Sequence, residues 1–254
     1  MTRLLPPHPV LRKHYSAQED RPAYVQLLFD ATAAQYDWAN SVFFFGTGGW
    51  YRRHALVAAG LQPGMRLLDV AVGTGRVAEA AQGILGTSAG IIGLDISSGM
   101  LREARLRLNI SLIQGSAEAL PLADACTDFI VMGYALRHLS DLGIAFREFH
   151  RVLRPGGRLL MLEIGRPKSA LYFACVKFYF KRLLPALCRL TSPHTRMATL
   201  MDYYWDTIEY CVPPAAIIAQ LAECGFAEPT CTTELGLFQA YCAVRQAQPC
   251  PGMK

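Results

Sequence analysis

Asp69, the Gly73-Thr74-Gly75 turn and Asp95 are the residues in this chain whose types and order suit holding a nucleoside. A glycine turn lets the backbone approach a ligand where a Cβ would collide. An acid about twenty residues further on, at the tip of a second strand, can accept both hydroxyls of a ribose. Farther along, Arg137 and His138 place a permanent cation beside an imidazole whose ordinary pKa, about 6.5, suits a general base. These groups need a strand, a turn, a helix and a second strand to position them. Arg66 to Ser98 reads RLLDVAVGTGRVAEAAQGILGTSAGIIGLDISS. Leu67, Leu68, Val70 and Ala71 make the short apolar run of a buried parallel strand, Arg76 to Ile84 has helix composition, and Gly90 to Leu94 is the second run.

Gly-Thr-Gly without a third glycine fits two ligands, a dinucleotide and S-adenosylmethionine. Asp69, four residues before Gly73, favours the second, because a carboxylate there repels a pyrophosphate and suits a sulfonium and an ammonium group. S-adenosylmethionine is therefore the expected cofactor, and a nicotinamide-dependent oxidoreductase is disfavoured.

The chain has 254 residues, 52% hydrophobic and 18% charged, enough for one domain with a full core. Its mean hydropathy of +0.20 is high enough to suggest an apolar surface or a lipid-facing pocket. A net charge of +5 argues only weakly for anionic partners. The eight cysteines lack paired short spacing and read as free thiols of a reducing cytoplasm, and no metal site is expected. The N-terminus lacks the apolar core of a signal peptide, and no run of about eighteen apolar residues predicts a membrane span.

Residues 1–22 predict a flexible arm, 23–245 the folded domain and 246–254 a tail. Helical spacing runs from Ala23 to Tyr36 and resumes from Trp50 to Ala59. Between them, Phe43-Phe44-Phe45 beside Gly46, Gly48 and Gly49 reads as a mobile flap or a packed aromatic elbow. Further strands are expected at 110–114, 127–132 and 158–164, helices after Ser97, at 141–153 and at 214–224, and a closing antiparallel pair at 230–233 and 237–245. The alternation predicts an α/β, doubly wound, Rossmann-like, seven-stranded and mostly parallel sheet. An aromatic insertion follows the fifth strand, at about 166–213. From Ile164 to Met201 it carries Arg166, Lys168, Lys177, Lys181, Arg182, Arg189 and Arg196 and no acid. It reads as a substrate lid or as a segment that lies against anionic lipid.

From about Ala23 to Arg245 the chain resembles the ubiquinone/menaquinone-biosynthesis C-methyltransferases, the UbiE/MenG family. The resemblance runs through Tyr36-Asp37-Trp38-Ala39-Asn40 with Gly46 and Trp50, Leu68 to Gly75, Leu94 to Leu101, Ala117 to Pro121, Leu136-Arg137, and Arg151 to Arg158 with Glu163. Much of that pattern is shared by all class I methyltransferases. Departures are His138 where the family has asparagine, Ser116 for its asparagine and Gly165 for its serine.

The resemblance implies a cytoplasmic enzyme, peripheral at a membrane surface if the insertion touches lipid. It would move a methyl group to an aromatic, quinol-like or otherwise hydrophobic small molecule, at ring carbon or hydroxyl. Asp69, Gly73, Thr74, Gly75, Asp95, Ile96, Met100, Ser116, Ala117 and Gly133 are the expected cofactor contacts. His138 is the expected base and Arg137 the group that steadies a phenolate. Tyr36, Phe44, Trp50, Tyr203 and Trp205 are the expected substrate-facing aromatics. The alternatives are an O- or N-methyltransferase of a secondary metabolite and a non-catalytic scaffold that binds S-adenosylmethionine. A homodimer is an admissible assembly. Nucleic acid is not an expected partner, since the basic run is interleaved with apolar groups.

Overall fold

A computed structural model describes residues 4–43, 48–191 and 196–246. Its centre is a seven-stranded sheet in the order β3-β2-β1-β4-β5-β7-β6. β1 (Leu67–Val70), β2 (Ile91–Asp95), β3 (Ser111–Gln114), β4 (Thr127–Gly133) and β5 (Leu153–Ile164) are parallel. β7 (Phe238–Arg245) runs antiparallel between β5 and β6 (Phe226–Glu234). The expected sheet is present, with the last pair beginning four residues earlier at Phe226.

β1, β2, β4 and the second half of β5 are buried on both faces, so they read as near-continuous apolar runs whose alternate residues enter different cores, while the edge strand β3 has exposed ends. Phe129, Val131, Leu160 and Leu162 face α3 (Gly48–Ala58), α4 (Arg76–Leu85) and α5 (Ser98–Arg107). Ile130, Met132, Leu159 and Met161 face α6 (Leu142–Val152) and α10 (Pro214–Glu223). Ser97 caps α5, its hydroxyl accepting the Met100 N–H at 3.0 Å, and Asp141 caps α6 by accepting from Ile144 at 2.9 Å.

A third core covers the carboxyl end of the sheet and joins the two ends of the chain. α1 (Arg21–Asp30) and α2 (Ala33–Phe43) replace the single helix expected over 23–36, because the chain turns at Ala31-Thr32. The insertion folds as α7 (Ala170–Phe178), a π-helical turn (Tyr179–Leu183), α8 (Leu184–Thr191) and α9 (Met197–Tyr210). Leu11, Tyr15, Val25 and Leu28 pack with Val176, Phe180, Leu184, Tyr203 and Trp205. The insertion is therefore a packed part of the core on its inner side rather than a lid standing free of it.

The flexible arm expected over residues 1–22 is corrected for residues 4–22. Leu5 and Pro7 carbonyls accept from Leu142 and Val212 at 3.0 and 2.8 Å. Arg21 is fully buried, donating to Leu139 O and His8 O at 2.8 Å each and to the Tyr15 hydroxyl at 3.0 Å. This order comes from long-range hydrogen bonds, which leave no periodicity in a proline-rich stretch. Of the expected tail, 247–254 lies outside the described residues.

Candidate active site

β1 continues toward one edge of the sheet and β4 toward the other, so a crevice opens beyond their carboxyl ends. The residues that follow these strands, Ala71 and Tyr134, both hold left-handed backbone, φ 57° and 61°. That conformation costs a residue with a Cβ about 1–3 kcal/mol and persists where surrounding structure imposes it. Both residues line a cavity of about 1100 Å³, counted to its open mouth.

One end of the cavity has the donor set of a nucleoside site. Asp95 ends β2, its two carboxylate oxygens accepting the N–H of Gly73 and of Ser97 at 2.8 Å each. Each oxygen retains lone-pair capacity for a ligand hydroxyl. Burial pushes the Asp95 pKa up to about 6, against the pull of the Ser97 and Gly73 amides, and the charge of Asp30 adds to the rise. Gly73 (φ +56°) lines the cavity, and nothing lies within 4 Å of where its Cβ would stand. Thr74, Ile96, Met100, Ser116, Ala117 and Gly133 line the same space. A diol acceptor, a backbone cradle and apolar walls fit S-adenosylmethionine.

Two expected cofactor contacts lie elsewhere. Gly75 does not line the cavity. It sits at the start of α4 with φ +87°, and a Cβ there would stand 2.8 Å from Leu108 Cδ1, so helix packing is what demands glycine. Asp69 is fully buried within β1, with the Ala78 amide acting on its carboxylate. Burial pushes its carboxyl well above the ordinary range, with the Asp95 charge adding, which favours the neutral acid. An acid off the cavity wall, its charge disfavoured by burial, does not discriminate between a pyrophosphate and a sulfonium. Asp95 and the Gly73 cradle are the features that suit S-adenosylmethionine.

The loops are held by two acids to which the sequence reading gave no site role. Asp37 accepts from the Thr74 hydroxyl at 2.6 Å and from Arg76 at 3.0 Å, and pairs with Arg107. Asp30 accepts from the Ser97 hydroxyl at 2.6 Å and from the Gly99 N–H at 2.7 Å. They are the only acids between Arg21 and Phe43, and Asp37 stands in the Tyr36-Asp37-Trp38-Ala39-Asn40 stretch of the resemblance, which was the available signal. Glu118 also lines the cavity and accepts the N–H of Ser140 and Asp141 at 2.6 and 2.8 Å. Arg52 adds a guanidinium to the cavity lining. Burial lowers its pKa, opposed by the nearby Tyr134.

The other end of the cavity is aromatic. Phe29 stands 5.2 Å from the His138 ring and 5.9 Å from Tyr36, centroid to centroid, and all three line the cavity. The Tyr36 and Tyr204 hydroxyls are 2.5 Å apart. His138 Nδ1 lies 3.3 Å from the Tyr203 hydroxyl, while Nε2 has no partner among the described residues. Burial lowers the His138 pKa well below 6.5, and the charges of Arg137, His8 and Arg21 act in the same direction. The ring is a neutral imidazole at pH 7.

Arg137 is not where a group touching substrate would be. It is 1% exposed, absent from the cavity lining, and donates from Nε to Glu163 at 2.7 Å and from Nη1 to the Thr207 hydroxyl at 2.8 Å. Glu163, at the end of β5, sets this arrangement, because a buried guanidinium needs a buried counter-charge. Tyr203 backs His138 from outside the lining. Trp205 is fully buried between Phe173 and Phe180. Trp50 is 68% exposed and stacks on His54. Neither tryptophan faces the cavity, and Phe44 lies outside the described residues. Tyr36 is thus the one expected aromatic among the described residues that the structure brings to the wall.

His14, Asp202 and Asp206 form the one group among the described residues with donors close enough together for a metal ion. Lys13 and Lys181 already sit on those carboxylates, and His14 Nε2 is 2.8 Å from Asp206, which makes the group an ion-pair network.

The strand order, the crevice and its nucleoside end define a class I methyltransferase. The same fold is seen in a methyltransferase of Aquifex aeolicus dependent on S-adenosylmethionine (TM-score 0.57, 17% identity, 76% of this chain and 89% of that one). It recurs in phosphoethanolamine N-methyltransferase 2 of Haemonchus contortus in complex with S-adenosyl-L-methionine (TM-score 0.62, 17% identity, 93% of this chain and 61% of that one). Residues 15–227 match the ubiE/COQ5 methyltransferase family. The chain is 32% identical over 206 residues to the ubiquinone/menaquinone biosynthesis C-methyltransferase UbiE of Shewanella sp. strain W3-18-1, covering 78% of this chain and 81% of the relative. It is 30% identical over 221 residues to the UbiE of Pseudoalteromonas translucida strain TAC 125, covering 84% and 87%. The chain belongs to the ubiE/COQ5 methyltransferase family and is a methyltransferase dependent on S-adenosylmethionine.

Proposed function

We propose that the protein methylates a ring carbon of a reduced, hydroxylated aromatic of the quinol type carrying an apolar substituent. The observation that carries this is the wall of Phe29, Tyr36 and His138, which puts flat rings on the cavity that Asp95 also lines, with the buried Nε2 of His138 left without a partner among the described residues. The printed name of the Shewanella and Pseudoalteromonas relatives, C-methyltransferase, favours carbon.

S-adenosylmethionine, when bound, supplies a methyl group made electrophilic by its sulfonium. Asp95 would hold the ribose hydroxyls, Ile96, Met100 and Ala117 the adenine, and Arg52 the amino-acid carboxylate. With His138 Nδ1–H donating to the Tyr203 hydroxyl, Nε2 is the acceptor. Nε2 then takes the proton of the ring hydroxyl, which raises electron density at the ortho carbon. Because burial disfavours the imidazolium, the hydroxyl proton would leave in concert with attack, the bond from methyl to sulfur breaking as that to carbon forms; the ring carbon would then lose its own proton and the ring oxygen regain one from Nε2, restoring the aromatic quinol. Holding the acceptor ring against Phe29 and Tyr36 supplies alignment, worth up to about 7–11 kcal/mol of a barrier. Arg137 acts at one remove, fixing the turn that carries His138.

His138 in place of the family's asparagine favours a second reading, transfer to the hydroxyl oxygen itself. Both readings need a reduced ring. Turnover with a quinol and none with the same ring as quinone is the expected result; equal transfer to both, or to neither, would refute the acceptor class.

A further inference from the structure

Leu171, Phe178, Leu183 and Leu190 are 76%, 64%, 54% and 82% exposed, all on the continuous helix from Ala170 to Thr191. They lie opposite the stripe of Val176, Phe180, Leu184 and Cys188, which is buried in the core. The π-helical turn adds a residue to one turn and keeps the outer stripe in line from Phe178 to Leu183. A helix apolar on two sides has one side too many for a surface helix of a globular domain. Arg182 and Arg189 stand exposed in the outer stripe and have no ion pair among the described residues. The lysines on the flank are different: Lys177 pairs with Glu209 at 2.6 Å, and Lys181 with Asp202 at 2.8 Å. The acids of α9 are therefore engaged on the inner side, and the outer face is apolar and cationic.

We propose that this face docks on the surface of an anionic phospholipid bilayer, with the leucines and Phe178 in the acyl boundary and the two arginines among phosphates. Charge decides the occupant. A second copy meeting this face about a two-fold axis would bring four arginines together with no acid between them. An anionic bilayer offers negative charge and an apolar interior along one plane. No helix among the described residues is long and apolar enough to cross a membrane, so the contact lies on the surface. The inference does not depend on which atom of the acceptor is methylated.

The test is co-sedimentation of the full chain with vesicles of phosphatidylcholine alone and of phosphatidylcholine with an equal part of phosphatidylglycerol. Binding to the anionic vesicles only, weakening as salt rises, is expected. Arg182→Gln with Arg189→Gln should lower the partition coefficient about thirty-fold, from about 1 kcal/mol per basic residue at such a surface. Leu171→Ser with Phe178→Ser should lower it at least tenfold. Both variants should keep wild-type affinity for S-adenosylhomocysteine and wild-type turnover of a short-tailed acceptor. Binding to neither vesicle, equal binding to both, or variants that bind like wild type would overturn the proposal. So would a dimer by light scattering that the Phe178 variant dissolves, which would assign the face to a second copy.

Discussion

Asp95→Asn should separate binding from folding. In the folded protein the Asp95 pKa stands at about 6 against an ordinary 3.8, and two units at 1.36 kcal/mol each make about 3 kcal/mol held against the ionised form. The folded pKa is the higher one, so this penalty applies above pH 6 and fades as the pH falls toward 3.8. Asparagine removes the penalty but keeps only one acceptor for the two N–H groups of Gly73 and Ser97, a loss of about 1–3 kcal/mol. The two effects nearly offset, so the unliganded variant should unfold within about 2 kcal/mol of wild type. Binding has no such offset. Losing a charged acceptor for a ribose hydroxyl should weaken S-adenosylhomocysteine by about 1.5–3 kcal/mol, roughly ten- to a hundredfold in Kd. Wild-type affinity should also fall about tenfold per pH unit below pH 6, as Asp95 takes up a proton, while the variant's affinity stays flat. Titration calorimetry across that range with urea unfolding in parallel reads both. A variant that binds within threefold of wild type, or that keeps the pH dependence, would refute the assignment of Asp95 to the ribose.

Arg137→Met should destabilise the fold by about 3–5 kcal/mol by stranding Glu163, and Arg137→Met with Glu163→Gln should recover much of it; urea midpoints decide, and a stable but inactive single variant would return Arg137 to the chemistry. His138→Gln should lower kcat by about 10²–10⁴ with unchanged affinity for S-adenosylhomocysteine. Because the imidazole titrates well below 6.5, wild-type kcat should stay flat as the pH falls through 6.5, and a drop there would contradict the buried neutral ring. Asp37→Ala should weaken cofactor binding about tenfold by freeing Thr74 and Arg76, an effect of order 1–2 kcal/mol; calorimetry showing no change would mean the loop holds itself.

The sheet was legible because parallel strands are apolar runs that need no partner to be recognised, and the place of Asp95 at the end of β2 because the acid closes such a run. Asp69 misled because a carboxylate near a glycine turn reads as facing the ligand, while the structure leaves it fully buried within β1 and off the cavity lining. Arg137 misled similarly: adjacency to His138 says nothing of direction, and its partner Glu163 is 26 residues away. Trp50 and Trp205 show that aromatic character does not separate wall, core and surface. The packing of residues 4–22 was invisible, since it is written in contacts of Leu5, Pro7 and His8 with distant backbone. Conversely, the basic and apolar character of the insertion was plain in the sequence, and only the structure divides it into an inner stripe and an outer one.

The most direct measurement is transfer of a trideuterated methyl group from S-adenosylmethionine to a reduced, short-tailed quinol, with the product located by mass spectrometry and NMR. Label on a ring carbon ortho to a hydroxyl is the expected result. Label in a methyl ether would move the chemistry to oxygen. No transfer to any reduced quinol by protein that binds S-adenosylhomocysteine would contradict the proposed acceptor altogether.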